Sequence, residues 1–300
     1  MKESLKKFRA SGRAAAAASV LTLGLLAACA PEPQIADAPP PAAAAASTHQ
    51  GLDATLWVQT SPEFRATTLQ TFQLASLRLE QALEDPQWTA ALEQDAAKMA
   101  GLPPAIIVDV DETLIDNSRF QARLVAENLV YEPATWDGWV QQSAAPALEG
   151  AREFLAHADS LGVTIFYVTN RGSHHEPPTR RNLEREQMPI DSSRDVVLTK
   201  GENGWTSDKT TRRQHVAETH RVLLMLGDDL NDFVSGAKAP APEPRRELAE
   251  RYREMWGTKW LMLANPGYGS WMESLYGMDD SLPDPEKQNL KSRYLDPSEP

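Results

Sequence analysis

The chain has 300 residues, 41% hydrophobic and 24% charged, enough apolar material for one sizeable buried core. Its formal charge of −12 at pH 7 makes nucleic-acid backbones unsuitable partners. A single cysteine, Cys29, excludes an internal disulfide and a cysteine-based zinc centre, so the fold must stand on packing alone.

Residues 1–28 read as an export signal rather than as structure. Lys2, Lys6, Lys7, Arg9 and Arg13 form a basic start, followed by an apolar run from Ala14 to Ala28. That run is shorter than the about 20 apolar residues that span a bilayer. It ends in Leu26-Ala27-Ala28-Cys29, which resembles the lipobox of bacterial lipoproteins, where cleavage leaves the cysteine to carry lipid. Cys29 is therefore the expected lipidation site and membrane anchor. Ala30 stands where Asp would signal inner-membrane retention, so the expected location is the outer membrane of the cell envelope. Without the leader the chain keeps 25 Lys+Arg against 41 Asp+Glu. Residues 29–50 then form a lipidated tether. Its Pro/Ala-rich part, 30–48, lacks apolar periodicity and reaches roughly 60 Å at ~3.1 Å per residue. Residues 51–300 make the folded body.

From Asp53 to Met99 the pattern is helical. Leu56, Phe64, Leu69, Phe72, Leu74, Leu77, Leu79 and Leu83 recur at three- and four-residue spacings, with a break at Asp85-Pro86. Gly101-Leu102-Pro103-Pro104 ends this prelude. Short apolar runs then alternate with helical stretches, at 105–108, 163–168, 195–198, 222–226 and 260–263. Such runs predict an α/β fold with a Rossmann-like parallel sheet covered on both faces. The span from Asn117 to Gly150 is long for one crossover and carries Tyr131, Trp136 and Trp139. It predicts a small helical cap inserted after the first strand, roughly 117–150.

In an open parallel sheet, ligands bind beyond the carboxyl ends of the strands. The first strand is followed by Asp109-Val110-Asp111-Glu112-Thr113, the second by Thr169-Asn170-Arg171, the third by Lys200, and the fourth by Gly227-Asp228-Asp229 with Asp232 close behind. Carboxylates, a hydroxyl and a cation converging on one edge suit phosphoryl transfer. A carboxylate nucleophile divides one difficult hydrolysis into two easier steps. Clustered carboxylates need a cation among them, and Mg²⁺ suits an oxygen-only site. A hydroxyl and a lysine can hold the remaining phosphate oxygens. An acid two residues beyond the nucleophile can protonate the leaving alcohol and then activate water. A calcium loop starting at Asp109 fails, because Leu114 and Phe120 stand where an EF-hand needs Gly and Glu.

The motifs Asp109-Val110-Asp111-Glu112-Thr113-Leu114-Ile115-Asp116-Asn117, Tyr167-Val168-Thr169-Asn170-Arg171, Lys209-Thr210-Thr211-Arg212 and Gly227-Asp228-Asp229-Leu230-Asn231-Asp232-Phe233 occur in this order. Together they resemble the class C (subfamily IIIB) acid phosphatases of the haloacid-dehalogenase superfamily, particularly the outer-membrane lipoprotein e 5′-nucleotidases, over roughly residues 50 to 280. The resemblance implies Asp109 as nucleophile and Mg²⁺ ligand, Asp111 as acid/base and carbonyl ligand, and Asp228 as third ligand with Asp229 or Asp232 behind it. It implies Thr169, Asn170 and Lys209 as phosphate-holding residues, with Lys209 preferred to Lys200 because Lys209-x-x-Arg212 opens a helix. Tyr131, Trp136 and Tyr268 would receive a planar leaving group. The stretch from Lys200 to Asp208 is longer than the family pattern, and Asp229 replaces a familiar Asn.

The expected function is therefore Mg²⁺-dependent hydrolysis of small phosphomonoesters, with 5′-nucleotides as expected substrates. Aromatic surface in the cap and C-terminal region would suit a homodimer. Two other readings remain open: a surface lipoprotein that binds a ligand without turnover, which has no need of Asp111, and a phosphotransferase to another alcohol. His174-His175-Glu176 reads as a solvated loop whose histidines point apart, and Arg180 to Arg185 as an exposed helix face. Trp139 either lines the pocket or packs.

Overall fold

The computed structural model describes residues 49–95 and 97–298. The leader, Cys29 and the tether through residue 48 lie outside the described residues. Among the described residues, no helix is long and apolar enough to cross a membrane.

Two helices open the body, α1 (Leu52–Thr60) and α2 (Pro62–Glu84). Ser61 caps α2: its Oγ accepts the Phe64 N–H at 3.0 Å, and Pro62 occupies a position that needs no N–H. Phe64, Thr68, Phe72, Ala75, Leu79 and Ala82 fall on one buried stripe at helical spacing.

The helical pattern read through to Met99 stops at Glu84. Pro86 disfavours helix at Asp85, and the backbone beyond is spent on a neighbouring strand instead. Ala90 N–H donates to Val222 O at 2.8 Å, Trp88 Nε1 to Leu223 O at 2.7 Å, and Gln94 Nε2 to His220 O at 2.7 Å. A helix would have used the Ala90 N–H in its own ladder.

Five strands follow: β1 (Pro104–Val108), β2 (Thr164–Gly172), β3 (Val197–Lys200), β4 (Arg221–Gly227) and β5 (Trp260–Met262). All pair in parallel, in the order β3-β2-β1-β4-β5. The crossovers carry α5 (Ala151–Ser160) before β2, α6 (Glu176–Arg185) before β3, α7 (Thr210–Thr219) before β4 and α8 (Pro242–Arg251) before β5. With helices on both faces, the sheet is the α/β architecture that continuous apolar strands require.

Register sets the functional edge. Val108 of β1 lies level with Tyr167 of β2 and Leu226 of β4. Asp109 and Asp228, just beyond β1 and β4, and Thr169, still within β2, therefore lie within one residue of the same level. Over that edge, between β1 and α5, lie two cap helices, α3 (Ser118–Glu127) and α4 (Pro133–Gln141). Phe120 of α3 gathers the cap aromatics, with ring centroids 5.2 Å from Trp136, 6.3 Å from Trp139 and 6.5 Å from Tyr131. The chain closes with α9 (Ser270–Glu273) and α10 (Asp284–Ser292).

Candidate active site

Asp109 is the first residue beyond β1. Its N–H still donates to Leu226 O at 3.0 Å, which fixes the backbone against β4. Its carboxylate is buried: Oδ1 makes a short contact with Lys209 Nζ, and Oδ2 lies 3.4 Å from Thr113 Oγ1. Lys209 immediately precedes α7 and also reaches Asp232 Oδ1 at 2.6 Å. Burial alone would lower the ammonium pKa, but Asp109 and then Asp232 outweigh it and hold it above its ordinary value. Lys200, exposed at the end of β3, takes no part; the lysine at this edge is Lys209.

β4 ends in Gly227-Asp228-Asp229. Asp228 Oδ1 lies 3.3 Å from Thr113 Oγ1, and its Oδ2 accepts Asn265 Nδ2 at 2.8 Å. Asp229 and Asp232 cap each other across one turn: Asp232 Oδ2 accepts the Asp229 N–H at 2.9 Å, and Asp229 Oδ1 accepts the Asn231 N–H at 2.9 Å. A Cβ at position 227 would fall 2.2 Å from Asp232 Oδ2, so only glycine lets Asp232 lean across the strand end.

The two acids read together from the sequence then part. Asp232 faces Lys209 and Asp109. Asp229 turns to the start of α9, where it accepts the Ser270 N–H at 2.8 Å, with Arg245 at 3.9 Å.

Asp109, Asp228 and Asp232 each offer a carboxylate oxygen within 4.8 Å of the others. Burial, then Asp109 and Asp232, push the Asp228 carboxyl well above the usual range. Burial pushes Asp232 up to about 7, opposed by Lys209 and reinforced by Asp109. The ammonium thus bridges two buried carboxylates and leaves the half-buried Asp228 beside them without a cation. An all-oxygen donor set with surplus negative charge fits a hard divalent cation.

Asp111 is held from two sides. Arg171 Nε lies 3.1 and 3.0 Å from its two oxygens, and Arg171 Nη2 lies 2.7 Å from Oδ1. Asn117 Nδ2 donates to the same Oδ1 at 2.8 Å, while Asn117 Oδ1 accepts Trp139 Nε1 at 2.8 Å. Trp139 therefore aims Asn117, a use the sequence did not reveal. Glu112 sits in the left-handed region at φ 55°, where a bulky residue is strained. Its carboxylate compensates locally, accepting Asn117 N–H at 3.1 Å, Asn117 Nδ2 at 3.1 Å and the Tyr268 hydroxyl in a short contact. Burial, then Asp111, push Glu112 well above the usual carboxyl range.

Thr169 is fully buried, and its Oγ1 accepts the Arg171 N–H at 3.1 Å. The side chain of Asn170, expected among the phosphate-holding residues, is bonded within the protein. Its Oδ1 accepts Arg212 Nη2 at 2.7 Å and its Nδ2 donates to Ser207 O at 3.1 Å, so both ends of the amide are engaged in bracing. Arg212 completes the brace by donating to Thr206 O at 2.9 Å and to Thr169 O; burial pushes its pKa down to about 10. This bracing shows how the long 200–208 stretch is folded back to deliver Lys209.

Of the expected aromatics, Trp136 lies 5.6 Å from the Arg171 guanidinium, which in turn grips Asp111. Tyr131 is exposed, and Tyr268 is half-buried against Glu112. The structure adds Thr113, Asn117, Asn265 and Phe120 to the site, and gives Arg171, which the sequence already brought to this edge, its partner Asp111.

The fold and this edge define a phosphatase of the haloacid-dehalogenase type. A family model described as HAD superfamily, subfamily IIIB (Acid phosphatase), matches residues 45–271, and the chain belongs to that family, one of phosphoric monoester hydrolases. The class C acid phosphatase from Bacillus anthracis superposes with a TM-score of 0.74 at 32% identity, covering 84% of this chain and 99% of that one. Its tungstate-bound structure matches equally. Acid phosphatase 1 of Solanum lycopersicum is 26% identical over 137 residues, 44% of this chain. That match spans 52%, about half, of the curated relative's length.

Proposed function

We propose that the protein is a Mg²⁺-dependent acid phosphatase that hydrolyses small phosphomonoesters, 5′-nucleotides among them, through an aspartyl-phosphate on Asp109. The observation that carries this reading is the buried Asp109 carboxylate held by Lys209 beside Asp228 and Asp232. One Asp109 oxygen attacks phosphorus and the bond to the leaving oxygen breaks. Lys209 and the Thr169 hydroxyl hold the phosphoryl oxygens. Asp111, oriented by Arg171 and Asn117, gives the leaving alcohol its proton and then takes one from the water that cleaves the acyl-phosphate. Asp109, Asp228 and Asp232, with the Asp111 carbonyl implied by the family, would hold the Mg²⁺. When bound, the ion neutralises charge on the phosphoryl oxygens and lets an anionic substrate enter a carboxylate-rich site. Tungstate in the Bacillus anthracis relative is a tetrahedral oxyanion, and supports a phosphate-sized site here.

The test is release of inorganic phosphate from 5′-AMP, nicotinamide mononucleotide and p-nitrophenyl phosphate, with Mg²⁺ or with EDTA. Activity should vanish in EDTA and return with Mg²⁺; activity indifferent to EDTA counts against the reading. Equal yields of alcohol and phosphate in the presence of glycerol separate hydrolysis from transfer. Trp136→Ala should raise KM for nucleotides about 5-fold, and by less for p-nitrophenyl phosphate, as expected for loss of one aromatic contact of about 1 kcal/mol.

The acid cluster also predicts a pH signature in metal-free protein. Between about pH 4 and 7 the unfolded chain releases the Asp232 proton while the folded site keeps it, so this group costs stability increasingly as pH rises and costs most above 7. In EDTA, Asp232→Asn should therefore gain stability relative to wild type across that window. A difference that stays flat or falls from pH 4.5 to 7.5 in thermal melts would contradict these electrostatics.

The lipobox adds a location to the proposal: Cys29 carries lipid and tethers the enzyme to the outer membrane. Cys29→Ser should move the protein from the detergent phase to the aqueous phase of a detergent partition.

A further inference from the structure

Beside the catalytic edge, but sharing none of its carboxylates, lies a second group of metal-type donors. Asp137 projects from α4, while His174 and His175 follow directly from β2. The sequence reading expected two solvated histidines pointing apart. Instead the rings lie against each other with centroids 3.9 Å apart. Two local features bring this about. Ser173–His175 forms a single tight 3-10 turn, and Gly172 leaves space for the His174 ring, whose Cε1 would lie 2.8 Å from a Cβ at that position.

His175 is only 3% exposed, and neither of its ring nitrogens has a hydrogen-bond partner. Asp137 Oδ1 comes within 2.8 Å of its Nε2, but off the direction of a hydrogen bond; the same oxygen lies 3.5 Å from His174 Nε2. Buried polar groups are nearly always bonded, so an unbonded imidazole facing a carboxylate and a second imidazole calls for a ligand. The donor atoms all lie within 4.8 Å of one another. A tetrahedral zinc site with bonds of ~2.0–2.1 Å needs separations of roughly 3.3 Å, which small side-chain rotations supply.

We infer that Asp137, His174 and His175 bind one transition-metal ion of the zinc class, with water in the remaining position, and that this ion pins cap helix α4 to the loop after β2. Two imidazoles and a carboxylate are a borderline-soft donor set, which selects zinc-type ions over Mg²⁺. His175 is suited to the task, because burial and then His174 hold its pKa below the ordinary value against the opposing pull of Asp137, keeping the neutral ligand form. Arg171 is the cation facing this cluster, and its charge is already matched by Asp111. His174 and Asp137 are accessible enough for an ion to enter. The neighbour of Asp137 on α4 is Trp136, so occupancy would hold the aromatic cap closed over Arg171.

The inference is independent of the proposed catalytic metal and is tested apart from it. The full chain, stripped with EDTA and given excess Mg²⁺ for the oxygen site, is titrated with Zn²⁺ by calorimetry and with Co²⁺ by visible absorption. The expected result is one Zn²⁺ per chain that Mg²⁺ does not displace, ligand-field bands on Co²⁺ binding, and a rise in melting temperature with Zn²⁺. His174→Ala, on an exposed side chain that the fold does not need, should lose all three, and so should Asp137→Asn. Both variants should keep Mg²⁺-dependent phosphate release, which reports separately on the proposed function. Wild type that binds no Zn²⁺ under excess Mg²⁺ overturns the inference. So does Zn²⁺ binding that survives in His174→Ala but disappears in Asp228→Asn, since the ion would then belong to the catalytic carboxylates.

Discussion

Asp109→Asn should lower kcat for every phosphomonoester by on the order of 10⁵-fold, the scale of losing a nucleophile. The substitution keeps the shape of the side chain and leaves Lys209 its contact with Asp232 at 2.6 Å, so the fold should survive. Far-ultraviolet circular dichroism and a cooperative thermal melt would confirm that the protein is intact. In wild type, rapid quenching followed by borohydride should convert residue 109 to homoserine, the reduction product of an acyl-phosphate. A variant that retains turnover within about 10-fold of wild type would remove Asp109 from the role of nucleophile and leave the site a binding one.

Lys209→Met should produce two large effects of different origin. Loss of the ammonium at the phosphoryl group should cost about 10²–10³-fold in kcat. It also strands Asp109 and Asp232 as buried carboxylates without their cation, which typically costs about 3–5 kcal/mol of stability. A divalent ion among the same oxygens should restore part of that stability and none of the catalysis. Urea unfolding in EDTA and in Mg²⁺ therefore distinguishes the two effects. An equal loss of stability in both conditions would mean that the metal does not sit among these carboxylates.

The strands of the sheet were legible because each is a short apolar run with its chemistry close to its end. A parallel strand buried on both faces has no alternation to confuse with anything else. What failed to read was whatever depended on contacts distant in sequence. Residues 85–99 kept an apolar spacing compatible with helix, yet the Ala90 N–H and the Trp88 indole bond to β4, more than 120 residues away. Asp229 and Asp232 were indistinguishable as letters; Ser270 on α9 takes the first and Lys209 the second. Asn170 belongs to a recognisable motif, and only the partner Arg212, 42 residues later, shows that its amide is a brace. The paired histidines misled for a local reason, since Gly172 and a one-turn helix fold the two rings together where an extended strand would separate them.

The chain of contacts from Trp136 to Arg171 to Asp111 has a consequence for discrimination among substrates. The ring that would meet the leaving group rests against the guanidinium that grips Asp111, the proposed proton donor. A leaving group that stacks on Trp136 would steady Arg171 and hold Asp111 on line, whereas a small aliphatic one would leave that alignment looser. Selectivity would then appear in the chemical step as well as in binding, with truncated esters losing kcat rather than only gaining KM. The cap would act as a gauge of the departing alcohol, reporting its size through the geometry of a single proton transfer.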